Sequence, residues 1–550
     1  TELKPPKGYM LPEENRIKFK VNADGTVTKD ASVPADSIQL TKDDDGIAVR
    51  FEDMPLLDPN GISLRKVISR KVNGQWQAMD SLPVNGAVFR WDYYDNTNSN
   101  HTNDTPVRTW YFVSQHDDHA DKDGEVRYKT AYLLTEEKVN NMSVSEEERS
   151  RLLGYAAVNE NNPLFWKLNA NGQKSAALPL GSLTISEVYS PPGYKLYEDT
   201  ISATMTQDEN DPNNYVITWP DLGNQEVKVG SNPAELVIGE REVLMALNKK
   251  DSKTGDDLDG SVFRITDMTD YPDVDTAHAS SDRVLEFPIR NGHYLVKEFL
   301  QLGHSYVMEE VDFPDGYVLL EDDIFFHVTD AGEIVMDTST SKDEDGNVIT
   351  YVPSAEVVTM DENGTILSNP SSGTGYECLF LELKNTPNRL TLFKADPEKD
   401  GEIKENPMVN VSFQVYVKDI RDGEWIGELN DGTKIYNNHE FKTSRNGKFT
   451  MYKLRRGHKY YFQEIRTLEG KKLLAEPVTV ETSAETGRII GPDNTRTDGN
   501  IEYHMNVLNW TELHLFTGGT GTLLFYLAGA LGIACVLTFV LISRRKRQNQ

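Results

Sequence analysis

Residues Glu310–Tyr317 read E-V-D-F-P-D-G-Y, and the same spacing of Glu, Pro, Gly and Tyr stands at Glu187–Tyr194 (E-V-Y-S-P-P-G-Y) and at Glu2–Tyr9 (E-L-K-P-P-K-G-Y). A decayed copy, E-I-R-T-L-E-G-K, begins at Glu464, with the proline and tyrosine replaced. The glutamate ends an alternating strand, as in Y-V-M-E-E and Y-Y-F-Q-E, and the Pro/Gly pair then turns the chain. One match would mean little, but recurrence at domain-scale intervals is the mark of a modular chain.

Two further elements repeat around this box. Upstream, Lys71-Val72-Asn73 leads to V-N-G-A-V-F at Val84–Phe89, Lys249-Lys250-Asp251 to L-D-G-S-V-F at Leu258–Phe263, and Lys394-Ala395-Asp396 to M-V-N-V-S-F at Met408–Phe413. Downstream, the unit closes on L-E-L-K-N-T-P with Asn385 and on V-L-N-W with Asn509. Asn-Gly and Asp-Gly hairpin signals at Asn291-Gly292, Asp345-Gly346 and Asn446-Gly447 lie between. The repeat predicts a partial module at 1–58, modules at 59–243, 244–387 and 388–511, and an anchor at 512–550. Short strands at regular spacing argue an all-β chain of tandem sandwiches. Residues 91–165 read as an insertion in the second module. It holds one expected helix around S-V-S-E-E-E-R-S-R-L-L-G, with Ser143 and Glu146 at capping-box spacing and Gly154 as its stop.

The 550-residue chain is too long for one core, and 38% hydrophobic content with 39 Gly and 25 Pro suits packed modules rich in turns. A net charge of -30 repels phosphate backbones, so nucleic acid is excluded as a main partner. The two cysteines, Cys378 and Cys535, offer no disulfide framework. Residues 523–542, LLFYLAGALGIACVLTFVLI, are uncharged and of membrane-spanning length, and Arg544, Arg545, Lys546 and Arg547 follow. The positive-inside rule puts that basic tail in the cytoplasm and the rest of the chain outside. The amino end shows no signal segment and opens inside a box, which reads as the carboxyl-terminal part of something longer.

The lysine strand, the E-x-x-x-P-x-G-Y box and the closing asparagine strand together resemble the Cna B-type, or SpaA-like prealbumin-fold, domain of Gram-positive pilins and adhesins. The resemblance spans the ectodomain apart from 91–165. It implies a spontaneous intramolecular isopeptide bond between lysine and asparagine, assisted by the glutamate. The chemistry accounts for the residue types. Burial pushes a lysine toward its neutral, nucleophilic form and a glutamate toward its protonated form, which can hydrogen-bond the attacked amide and pass protons to departing ammonia.

Carried over by position, the resemblance implies Lys249, Glu310 and Asn385 in the third module and Lys394, Glu464 and Asn509 in the fourth, where Asn506 is a nearby competitor. The second module supplies Lys71 and Glu187 but has Glu240 where asparagine is required, so no cross-link is expected there. The first retains Glu2 and places Asp53 at the asparagine position. The junction also resembles a sorting signal cut between Thr and Gly of L-P-x-T-G. In H-L-F-T-G, Thr517 and Gly518 stand, while His514 and Leu515 replace leucine and proline.

Other constellations are weaker. His116 and His119 sit in the acidic run H-D-D-H-A-D-K-D and read as a solvated loop, so no metal and no cofactor is expected. Cys378 reads as a small buried residue. Trp91, Tyr93, Tyr94, Trp110, Tyr111 and Phe112 read first as core and second as a binding surface. No nucleotide fingerprint or nucleophile elbow occurs. The expected role is a cell-surface stalk or adhesin, not an enzyme, with a host or matrix ligand, the membrane, and a sortase with peptidoglycan as partners. The alternative is a scaffold displaying an amino-terminal head that carries an enzyme or a ligand-binding site.

The intact span set against the altered H-L-F-T-G peptide predicts a membrane-held pool. Fractionated cells probed for the basic tail should retain it in membranes, and His514→Leu with Leu515→Pro should shift protein to the wall. Complete tail removal in the unaltered chain contradicts this.

Overall fold

A computed structural model describes residues 63–508 except 116–130, 169–173, 177, 211–214, 221, 223–224, 231–234, 321, 343–347, 352, 370, 397–405, 492–495 and 499–501, together with short strands between 9 and 55. The sequence readings at His116, His119, Asn509, His514–Gly518 and 523–542 lie outside these residues. Among the described residues no helix is long and apolar enough to cross a membrane.

The described chain is overwhelmingly β, in sheets that face one another across separate cores. One core draws on residues from Leu64 to Ile238, a second on Val243 to Leu383, and a third on Leu390 to Val507. Period-two burial shows why these segments are strands. In Gly181–Tyr189 the side chains of Leu183, Ile185, Glu187 and Tyr189 are buried, and those of Thr184, Ser186 and Val188 between them are only partly so. Trp91, Tyr93 and Trp110 belong to the second module's core, as the first reading of that aromatic cluster expects.

Three strands position the site in each module. The lysine strand lies parallel to the closing strand: Met245–Asp251 beside Thr374–Asn385, Arg389–Ala395 beside Glu502–Leu508, and Ser63–Val72 beside Glu235–Glu240. Chain start and chain end of a module are thus hydrogen-bonded neighbours. The glutamate strand lies in the opposing sheet, where Phe263 pairs with Glu310, Phe413 with Glu464 and Phe89 with Glu187. The register shifts at or beside each of these pairs, a bulge that re-aims a side chain at the end of its strand.

Two expectations need correction. The insertion helix is Glu146–Asn161, capped by Ser145 with Glu148 in the capping box, and it runs through Gly154. The box pattern therefore starts two residues after Ser143. Gly154 does not stop the helix, because its backbone is helical and a Cβ there would meet open space. The second correction concerns Lys71. The third module's closing strand is long enough to pair its first residues antiparallel with the end of Ser63–Val72, Thr374 opposite Val72 and Gly375 opposite Lys71. Lys71 lies in this sheet-to-sheet bridge and ion-pairs with Glu377, partly exposed.

Candidate cross-link sites

In the third module a lysine, a glutamate and an asparagine meet in the core. Lys249 is 1% exposed, Glu310 5% and Asn385 1%. The Lys249 Nζ stands 3.1 Å from Glu310 Oε1. The Asn385 side-chain amide donates to both Glu310 oxygens, at 3.1 and 3.0 Å. A backbone N–H, that of Leu320, donates to Glu310 Oε2 at 2.8 Å, and the Phe263 ring lies 5.0 Å from the Lys249 Nζ. Neither the Lys249 Nζ nor the Asn385 Oδ1 has a well-directed hydrogen bond among the described residues. Burial lowers the Lys249 pKa, and the Glu310 carboxylate opposes this only in part.

The fourth module repeats the arrangement. Lys394 is fully buried, its Nζ 3.5 Å from Glu464 Oε1, over the Phe413 ring. The Leu474 N–H donates to Glu464 Oε2 at 2.8 Å. Burial pulls Lys394 down to about 8, against the attraction of Glu464. The strand register bears on the choice between asparagines. Lys249 is paired with Leu383 and Lys394 with Val507, and counting on two residues in the sequence reaches Asn385 and Asn509. Asn506 is instead paired with Phe393.

In the second module the lysine that meets Glu187 is Lys66, not Lys71. It is 2% exposed, with its Nζ 2.8 Å from Glu187 and 2.5 Å from Glu240. Glu187 also accepts from the Tyr197 N–H at 2.9 Å. Lys66 is paired with Ile238, so Glu240, two residues on, does occupy the position of Asn385. The sequence carried the signal that distinguishes the lysines: I-S-L-R-K at Lys66 shares the apolar-x-Leu-x-Lys pattern of M-A-L-N-K at Lys249 and L-T-L-F-K at Lys394, and the residues before Lys71 do not.

The electrostatics of this site are reversed. Burial pulls the Lys66 ammonium down, but Glu187 and Glu240 together outweigh it, and its pKa ends above the ordinary lysine value. Burial and the neighbouring Glu187 charge push Glu240 well above the ordinary carboxyl value, with Lys66 opposing. An ammonium at Lys66 beside a protonated Glu240 carboxyl is the state these shifts favour.

Two stretches, 244–343 and 394–495, match the family model for the SpaA prealbumin-like fold domain. These two modules are SpaA-type prealbumin-like domains. Among solved structures, the chain is similar to the Bacillus anthracis TIE protein at 13% identity and TM-score 0.25, covering 84% of this chain but 54% of that one. It is also similar to a C-terminal fragment of the pilus adhesin SpaC from Lactobacillus rhamnosus GG, at 14% identity and TM-score 0.24, covering 49% of this chain and 97% of that one. A streptococcal ancillary pilin matches at 14% identity and TM-score 0.21, over 78% of this chain and 93% of that one. Among curated proteins none matches in sequence.

The raised Glu240 pKa has a defined consequence for stability. The native state holds a proton that the unfolded chain releases, so this contribution is complete below the ordinary carboxyl value of 4.5 and is lost as pH rises through the native value. The limiting slope is about 1.4 kcal/mol per pH unit for one proton. Five of the seven tryptophans, Trp76, Trp91, Trp110, Trp166 and Trp219, lie in the second module, so urea unfolding followed by tryptophan fluorescence reports on it. Stability should fall as pH rises above the ordinary carboxyl value, and Glu240→Gln should flatten that fall. An unchanged slope in the variant would place the proton elsewhere.

Proposed function

We propose that the chain is a surface-displayed structural or adhesive stalk whose third and fourth modules are closed by self-formed isopeptide bonds, Lys249 to Asn385 and Lys394 to Asn509. The observation that carries this reading is the buried group of Lys249, Glu310 and Asn385. A lysine depressed by burial is a competent nucleophile, and Glu310, in contact with both the amine and the amide, can relay the proton. The Lys249 nitrogen attacks the Asn385 side-chain carbonyl carbon. The C–N bond to the amide nitrogen breaks, that nitrogen leaves as ammonia, and Glu310 carries the amine proton to it. Each module reacts once and nothing turns over. A protein of this kind works by resisting force and proteolysis, not by catalysis.

The second module is proposed to remain uncross-linked. Its lysine is held as an ammonium, which has no lone pair to attack with, and its acceptor position holds a carboxyl group instead of an amide. Attachment through the 523–542 span, with or without cleavage at Thr517-Gly518, belongs to the same proposal.

The unmodified full chain should weigh less than its sequence by two ammonias, and Glu310→Ala should restore one of them. A mass equal to the sequence mass ends the proposal. By analogy with a disulfide closing a long loop, each bond should add roughly 3 to 5 kcal/mol. Lys249→Ala should therefore melt lower and digest faster. Glu240→Asn, which restores the amide beside Lys66, should remove one further ammonia. No additional loss would mean that geometry, not the acceptor group, silences the second module.

A further inference from the structure

The box does more than deliver a glutamate, because its Gly-Tyr end touches the following module. Gly193 is left-handed (φ 89), and a Cβ there would lie 2.4 Å from the Cα of Glu298 in the third module. Its N–H donates to the Leu300 carbonyl at 2.6 Å, and its own carbonyl accepts from Val243 at 2.7 Å. Gly316 repeats this one module on. It is left-handed (φ 87), and a Cβ would lie 2.5 Å from the Cβ of Lys453 in the fourth module. Its carbonyl accepts from the Asn388 N–H at 3.0 Å.

The receiving residues match as well. Glu298 (φ 56) and Lys453 (φ 50) are both left-handed without being glycine, a conformation rarely adopted unless the surroundings hold it. The box tyrosines bridge the closing segment at the same place, Tyr194 to Glu242 and Tyr317 to Pro387, and Tyr9 pairs with Pro55 in the same way. Charge reinforces the second joint, with Arg455 3.0 Å from Asp315 and Arg456 2.6 Å from Asp312.

The fourth copy differs at these points. Gly470 keeps the left-handed backbone (φ 78), yet among the described residues a Cβ there would meet nothing within 4 Å. In the third module Asp251, two residues after Lys249, accepts from the Tyr317 hydroxyl at 2.8 Å and pairs with Lys453 of the next module at 3.2 Å. In the fourth, Asp396, two residues after Lys394, pairs instead with Lys471, the residue that replaces the box tyrosine. The cation that a following module would bring is supplied from within.

We propose that the Gly-Tyr end of the box is a module-docking site, whose ligand is the left-handed residue and adjoining turn of the next module along the chain, and that the Glu464–Lys471 copy is a self-capped terminus of that series. This assignment does not depend on whether any isopeptide bond forms. The three glycines make an internal control, because all are left-handed and a substitution strains each backbone alike, while among the described residues Gly193 and Gly316 are covered by the next module and Gly470 is not.

In the full chain, Gly316→Val should raise trypsin cleavage after Arg389, at the joint, by about tenfold, as a loss of about 1.4 kcal/mol of closure would. It should also broaden the small-angle scattering distance distribution, and Gly470→Val should do neither. An equal effect of the two substitutions, or no effect of Gly316→Val, overturns the proposal. Should Gly316→Val fail to fold, the charge pair decides: Asp315→Arg should open the joint and the added Arg455→Asp should close it again. A joint indifferent to both contradicts the docking role.

Discussion

A lysine ammonium cannot be sequestered from water without a partner, and each of the three described modules solves that problem at the same point, between its first and last strands and under the opposing sheet. Lys66, Lys249 and Lys394 are all essentially unexposed, and each meets the glutamate that ends a strand of the other sheet. The parallel pairing of lysine and closing strands, the bulge beside the glutamate, and the backbone N–H that donates to its carboxyl group all serve this contact. Breaking it leaves a buried charge uncompensated, which is among the more damaging changes a core can suffer.

What the third partner is decides what the contact can become. Beside Asn385, Lys249 is depressed by burial and faces an amide that can lose ammonia. Beside Glu240, Lys66 is raised, and the second carboxyl group takes up a proton. On the proposed reading, one side-chain difference at one register position separates a module that closes covalently from one that keeps a buried ion pair. The second module has other support. Its Ser63–Val72 strand continues into the third module's closing strand, so its sheet does not end at its own boundary.

Much of this was legible in the sequence because the functional residues lie on strands whose turns and hydrophobic pattern repeat. The box located Glu187, Glu310 and Glu464, and the closing segment located Asn385 and Glu240. Lys71 misled because a strand-end lysine before a polar turn is ambiguous. Only the alternation ending I-x-L-x-K marks Lys66 as inward, and the extra turn of strand that carries Lys71 exists to pair with Thr374 and Gly375, some 300 residues away in sequence. The insertion helix slipped by two residues because Ser143 and Ser145 both precede glutamates at cap spacing, and packing of Leu152, Ala156 and Asn159 selects the second. The joints were illegible for a different reason. Glu298 and Lys453 adopt positive φ where the preceding module's box packs against them, and neither is a residue type that signals such a backbone in the sequence.

The central claim is that the group opposite the buried lysine determines whether a module is closed covalently, and peptide mapping of the untreated full chain tests it most directly. Proteolysis followed by tandem mass spectrometry should yield a branched peptide joining Lys249 to Asn385 and another joining Lys394 to Asn509, with the Lys66 and Glu240 peptides linear. Linear peptides at Lys249 and Asn385, or a branch at Lys66, would contradict it.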